Sequence, residues 1–311
     1  MRIVFMGTPD FAVAALTALK EAGHDIAGVY TRMDTPKNRG MKMLPPPVKV
    51  KAMEYGIPVF QPKNLRGEEI LQQLRELNPE VIVVAAYGRL LPQAVLELPK
   101  YGCLNIHASL LPKYRGASPI NACILHGEAE AGVTIMQMDV GLDTGDMLLP
   151  VATEMLPDES CGSLHDRLAV IGGEAIVKAL DLLEKGQLKG VPQPETGFTY
   201  APMIQTADCK IDFTLPAKQV SCAIRAYDPA PGAFSTLGGD KMKLFAASLE
   251  QAEGSCGAAG TIVKNDKNGI VVACGEGAVR IGMVQGAGGK KMPADAFFRG
   301  HAALLKEKFG E

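Results

Sequence analysis

Hydrophobic and polar positions alternate in two different textures along this chain. Residues 2–6 form a short apolar run that ends at Gly7. Over 11–22 the apolar residues recur at helical spacing, and Gly23 stops the segment. Residues 25–31 read as a second strand, and 66–77 as a helix with Leu71, Leu74 and Leu77 on one side. The stretch 80–87 contains Val-Ile-Val-Val-Ala-Ala and is apolar on both faces, as in a parallel sheet. Residues 103–107 and 133–138 predict further strands, and 161–185 a long helix closed by Gly186. Such alternation implies right-handed crossovers and an α/β fold with a doubly wound, mostly parallel sheet.

The texture changes after residue 190. Residues 190–202 hold three prolines and little periodicity, which reads as a linker. A helix is predicted over 216–227. Short apolar runs at 242–247, 260–263, 270–274 and 279–284 follow, split by Gly, Asn and Asp turns, which suggests a small β-barrel. The expected division is a first domain at 1–189, a linker at 190–205 and a second domain at 206–311.

Composition narrows the class. With 47% hydrophobic and 21% charged residues and a net charge of −2, disorder is excluded as the main state. The longest apolar stretch, 81–87, is too short for a membrane helix. The opening Met1-Arg2-Ile3-Val4-Phe5 lacks the features of a secretion signal. Seven cysteines without any Cys-x-x-Cys, and scattered histidines, argue against zinc and against a disulfide framework. No metal is expected, and the thiols suit a reducing cytoplasm. Residues 206–311 carry 13 Lys+Arg against 11 Asp+Glu, so any nucleic-acid contact has to be a local patch.

Four segments could carry chemistry. Ligands of open α/β sheets bind beyond the carboxyl ends of the strands. Asn105 and His107 lie there on one face of the 103–107 strand. Two polar residues on an apolar strand need either each other or a ligand, and spacing leaves both readings open. Residues 139–146 form a turn-rich cluster of Asp139, Asp143 and Asp146. They lack the ligand spacing of a calcium loop, and spacing alone favours a solvated turn. The 31–50 loop sets Arg32, Lys37, Arg39, Lys42 and Lys49 against Asp34. It reads as a solvated surface or a phosphate contact, and the sequence alone favours the surface. Gly7-Thr8-Pro9-Asp10 joins a strand to a helix without Gly-x-Gly-x-x-Gly, and no Walker A sequence occurs, so a dinucleotide cofactor is not supported.

Gly102-Cys-Leu-Asn105-Ile-His107-Ala-Ser109-Leu-Leu-Pro112-Lys-Tyr-Arg115-Gly116 resembles the signature of folate-dependent formyltransferases, and Asp139-Val-Gly-Leu-Asp143-Thr-Gly-Asp146 resembles their second signature. Phe5-Met-Gly-Thr-Pro-Asp-Phe-Ala12, the 132–138 strand and Arg225-Ala-Tyr-Asp-Pro-Ala-Pro-Gly232 extend the resemblance over essentially the whole chain, toward the members that formylate methionyl-tRNA. The resemblance implies a Rossmann-like catalytic domain followed by a small OB-like, tRNA-binding barrel. It implies a catalytic trio of Asn105, His107 and Asp143, and a folate site lined by Ser109, Leu110, Leu111 and Pro112. It implies 10-formyltetrahydrofolate as co-substrate and initiator methionyl-tRNA as partner, met by Arg39, Lys42 and Lys37. Lys290 and Lys291 are weaker candidates for tRNA contact.

The reaction so implied moves a formyl group to an α-amine in translation initiation. Asn105 and His107 would stabilise the oxyanion. Asp143 would orient His107, favour its charged form and relay the amine proton. A cytoplasmic monomer is expected. The alternatives are formyl transfer to an amino sugar-nucleotide or to glycinamide ribonucleotide on the same fold, and a non-catalytic RNA-binding module.

Overall fold

Strands that are apolar on both faces organise the first half of the molecule. In a computed structural model, which describes residues 1–37 and 42–311, Arg2–Gly7 lies inside a seven-stranded sheet with Ile3 to Met6 buried. It pairs in parallel with Asp25–Tyr30 on one side and Val81–Ala85 on the other. Val59–Phe60 and Cys103–His107 extend the sheet outward, both parallel to their neighbours. Glu130–Gln137 then runs antiparallel to Cys103–His107, and Met147–Glu154 closes that edge. Val4, Met6, Ile82, Val84 and Cys103 share a core with Tyr30 and Leu74. Ile3, Phe5, Val81 and Val83, on the other face, are buried as well, so the sheet buries both faces, as its unbroken apolar strands require.

The chain packs as two compact units. The first comprises Met1–Gly116, Gly132–Thr153 and His165–Tyr200, and the second Ala117–Ala131, Glu154–Leu164 and Ala201–Glu311. The stretch read as a linker contributes residues 190–200 to the first unit. Val191 bridges Met147, and the Thr199 carbonyl accepts from the Arg115 N–H at 2.8 Å. Prolines removed the periodicity here, but residues beside and between them still pair.

The second unit is β-rich. Its antiparallel strands follow the order Ala233–Leu237, Asp240–Gln251, Ala278–Gln285, Gly269–Ala273 and Ile262–Asp266, with Met292–Pro293 against Ala278–Gln285. Ala233–Leu237 follows the Pro229/Pro231 turn and was not legible as a strand. Its burial alternates residue by residue, as a half-buried strand should. Helices Ala217–Ala226 and Ala294–Gly300 supply Val220, Ile224 and Phe298 to a core with Leu244, Ile270 and Ile281. Pro119–Leu125, a short helix with no anticipated signal, belongs to this unit, where Asn121 Nδ2 donates to the Ala226 carbonyl at 2.6 Å.

Candidate active site

His107 is the last residue of the Cys103–His107 strand and stands opposite Thr134 in register. The buried Thr134 hydroxyl donates to the Ser109 carbonyl at 2.7 Å and accepts from the Leu111 N–H at 3.1 Å. The Ser109 hydroxyl donates to the Lys113 carbonyl at 2.6 Å. The backbone is thus folded back at the carboxyl end of the strand and fixed there. Backbone groups that a loop would otherwise leave unpaired find side-chain partners.

Only 5% of His107 is exposed, and its Nε2 lies 3.0 Å from the Tyr114 carbonyl. A carbonyl can only accept, so Nε2 carries a hydrogen. The other nitrogen, Nδ1, faces Asp143 Oδ2 at 3.7 Å, a charge contact too long for a direct hydrogen bond. Burial lowers the His107 pKa below its usual 6.5, against the opposite pulls of Asp143 and the Tyr114 carbonyl. That direction runs against the expectation of a charged imidazole. Desolvation of the cation outweighs one carboxylate at this distance, which favours the neutral ring with its lone pair on Nδ1.

Asn105 shares the strand face of His107 and is half-buried. Its amide makes no hydrogen bond among the described residues. The reading in which the two polar side chains satisfy each other is thereby removed, and an uncommitted donor remains beside the imidazole.

The turn that carries Asp143 is built by its own residues. Asp139 Oδ1 accepts from the Gly141 N–H at 3.0 Å and from the Thr144 hydroxyl at 2.8 Å. A Cβ at Gly145 would run into the Gln137 carbonyl. Asp143 itself takes the left-handed conformation, φ 53°, and its Oδ2 accepts from the Gly116 N–H at 2.8 Å. Gln193 Nε2 donates to the Asp143 and Gly145 carbonyls, both at 2.8 Å. Gln193 Oε1 accepts from Arg115 Nε at 2.9 Å and Nη2 at 2.7 Å. The solvated turn that spacing favoured is instead tied into the site.

Ser109 and Leu111 are buried and Leu110 and Pro112 half-buried, so this segment forms the wall of the loop after His107. The backbones of Lys37 and Lys42 face each other in a hairpin of Thr35–Lys37 and Lys42–Leu44. Arg39 lies outside the described residues, as do the side chains of Lys37 and Lys42. At the root of the hairpin Lys49 Nζ holds Asp34 at 2.9 Å. Lys291 lies 3.2 Å from Asp228 and 4.1 Å from the centre of the Phe245 ring, so its ammonium serves its own unit. Among the described residues no group of three or more His, Cys, Asp or Glu could hold a metal, and no helix is long and apolar enough to cross a membrane.

Sequence reasoning missed Thr134, Tyr114 and Gln193. Thr134 sits in an otherwise apolar strand, a buried hydroxyl that needs partners. That was the available signal. Gln193 had none, because its role depends on contacts with residues fifty positions away in sequence.

A family model described as formyl transferase matches residues 1–180, and one described as formyl transferase, C-terminal domain, matches 203–302. The chain is 51% identical over 311 residues to a methionyl-tRNA formyltransferase of Chromobacterium violaceum, with 100% of each chain covered. It is 49% identical over 300 residues to one of Geobacter metallireducens, with 96% of each covered. Among solved structures, HypX from Aquifex aeolicus in complex with tetrahydrofolic acid superposes with a TM-score of 0.64 at 21% identity. That match covers 96% of this chain and 47% of HypX, so the chain spans about half the length of that protein. At such identity the likeness is one of fold.

Proposed function

The chain belongs to the formyl transferase family, and from that premise we propose that it transfers the formyl group of 10-formyltetrahydrofolate to the α-amino group of initiator methionyl-tRNA in the cytoplasm. What supports the reading is that His107 faces Asp143 at 3.7 Å at the end of a strand whose same face carries Asn105. In functional terms the first compact unit, which includes residues 190–200, is the catalytic domain, and the unit that holds 206–311 is the tRNA-facing one. Ser109 to Pro112 line the folate site, and Arg39, Lys42 and Lys37 meet the acceptor end by phosphate contact.

A neutral α-amine is already nucleophilic. Model α-amino groups titrate at about 7.7–8.0, so a useful fraction is uncharged near neutrality. Attack forms a C–N bond to the formyl carbon and places charge on the formyl oxygen. Asn105 Nδ2–H meets that oxygen, as a donor at every pH. The amine nitrogen must then lose a proton. His107 Nδ1 holds the lone pair to take it, directly or through a water. The imidazolium so formed offers its Nδ1–H to the oxyanion without leaving Tyr114, and Asp143 stabilises its charge. Breaking the bond to the folate N10 returns the proton from His107 to that nitrogen, which leaves formylated amine, tetrahydrofolate and a neutral ring. His107 thus serves oxyanion and proton in sequence, because its Nε2–H is already committed to Tyr114.

The test is purified protein with methionyl-tRNA and 10-formyltetrahydrofolate, scored for formyl-methionine after deacylation. An amino sugar-nucleotide and glycinamide ribonucleotide serve as rival acceptors. Formylation of the tRNA alone is expected. Transfer to either rival in preference to the tRNA would overturn the reading.

A further inference from the structure

We propose that Gln193 is a positioning residue for formyl transfer: it clamps the Asp143–Gly145 turn in the conformation that presents Asp143 to His107, and Arg115 sets the direction of the clamp. The proposal rests on the formyl-transfer reading above. Its argument begins with the turn. Asp143 occupies a left-handed conformation that a non-glycine residue adopts at a cost, so something must hold it there. Packing of the turn does not. The neighbours Val140 and Leu142 are 75% and 52% exposed. Hydrogen bonds do. The Gly116 N–H fixes the Asp143 carboxylate, and one Gln193 amide nitrogen gives both its hydrogens to the carbonyls of Asp143 and Gly145.

Amide orientation is set by chemistry. Arg115 has donors and no acceptor, so the atom facing its Nε and Nη2 must be the Gln193 oxygen, and the nitrogen must face the turn. The reversed amide would set donors against the guanidinium and oxygen against two carbonyls. Arg115 is only 6% exposed, and its guanidinium lies 4.7 Å from the centre of the Phe198 ring. The chain from Phe198 through Arg115 to Gln193 is therefore a rigid support behind Asp143. Gln193 touches no reacting atom and acts through the carboxylate it places.

Two substitutions separate positioning from mere folding. Gln193→Ala removes the clamp and also strips a buried guanidinium of its acceptor, which threatens the fold. Gln193→Glu keeps the acceptor for Arg115 and loses both donors to the turn. In folded Gln193→Glu, kcat should fall about 10–100-fold, by analogy with outer-shell groups that orient metal ligands. The KM values for tRNA and folate should stay near wild type. The His107 titration, followed by histidine-selective NMR, should also move from its wild-type position, because the placement of Asp143, the carboxylate that raises it, changes.

Wild-type kcat with an unmoved titration in Gln193→Glu would overturn the proposal. So would a loss confined to KM. A Gln193→Glu protein that cannot fold would overturn it too, since the residue would then be structural. A wild-type protein that formylates no methionyl-tRNA would contradict the earlier reading instead, and the NMR titration would still test the clamp.

Discussion

At the residue scale the site turns on one competition, between burial and charge at His107. Burial disfavours the imidazolium, while Asp143 at 3.7 Å and the Tyr114 carbonyl favour it, and burial prevails. The ring in the free protein should therefore titrate below 6.5, measurable by histidine NMR. Asp143→Asn removes the favouring charge and should move the midpoint lower still. A midpoint above 6.5, or one that rises in Asp143→Asn, would refute this assignment. The stability consequence has a fixed sign. As pH falls from 6.5 through the folded-state pKa, the unfolded chain binds a proton that the native ring resists. The contribution of His107 is thus present above 6.5 and lost in acid. A sequence shows the imidazole and the nearby carboxylate, but not this balance, which depends on how much water the fold excludes.

At the element scale the Glu130–Gln137 strand bolts the loop after His107 in place. Thr134→Val keeps the shape of the side chain and removes its hydroxyl, leaving the Leu111 N–H without its acceptor. The expected cost is about 1–3 kcal/mol, readable as a lowered urea midpoint with an unchanged slope. An unchanged midpoint would show that the loop does not depend on this bond. The central strands were legible because apolar composition alone dictates burial on both faces: 2–6 and 80–87 could be little else. Asn105, His107 and Asp143 were legible as motifs, whereas spacing by itself left them ambiguous. What stayed hidden depends on tertiary contact. Pro119–Leu125 is too short to show a period, and Gln193 lies in a proline-broken stretch whose pairing partners are Arg115 and the Asp143 turn.

At the scale of the whole molecule, a net charge of −2 must still accommodate a polyanion. Binding then rests on a few cations, of which Arg39 is the leading candidate. Arg39→Ala should raise KM for methionyl-tRNA while leaving the folate KM alone, and should reduce the salt dependence of tRNA use by about one phosphate contact. An unchanged tRNA KM with the same salt slope would remove Arg39 from the interface. The central claim is that Asn105 and His107 act as one unit on one oxygen. It is tested most directly by single-turnover formylation with wild type, Asn105→Ala, His107→Ala and the double variant. Each single change should slow transfer by about 10²–10³, the loss expected for one oxyanion donor. The double variant should be little slower than the worse single, as for groups that work together. A wild-type rate in either single variant, or losses that simply multiply in the double, would contradict the account.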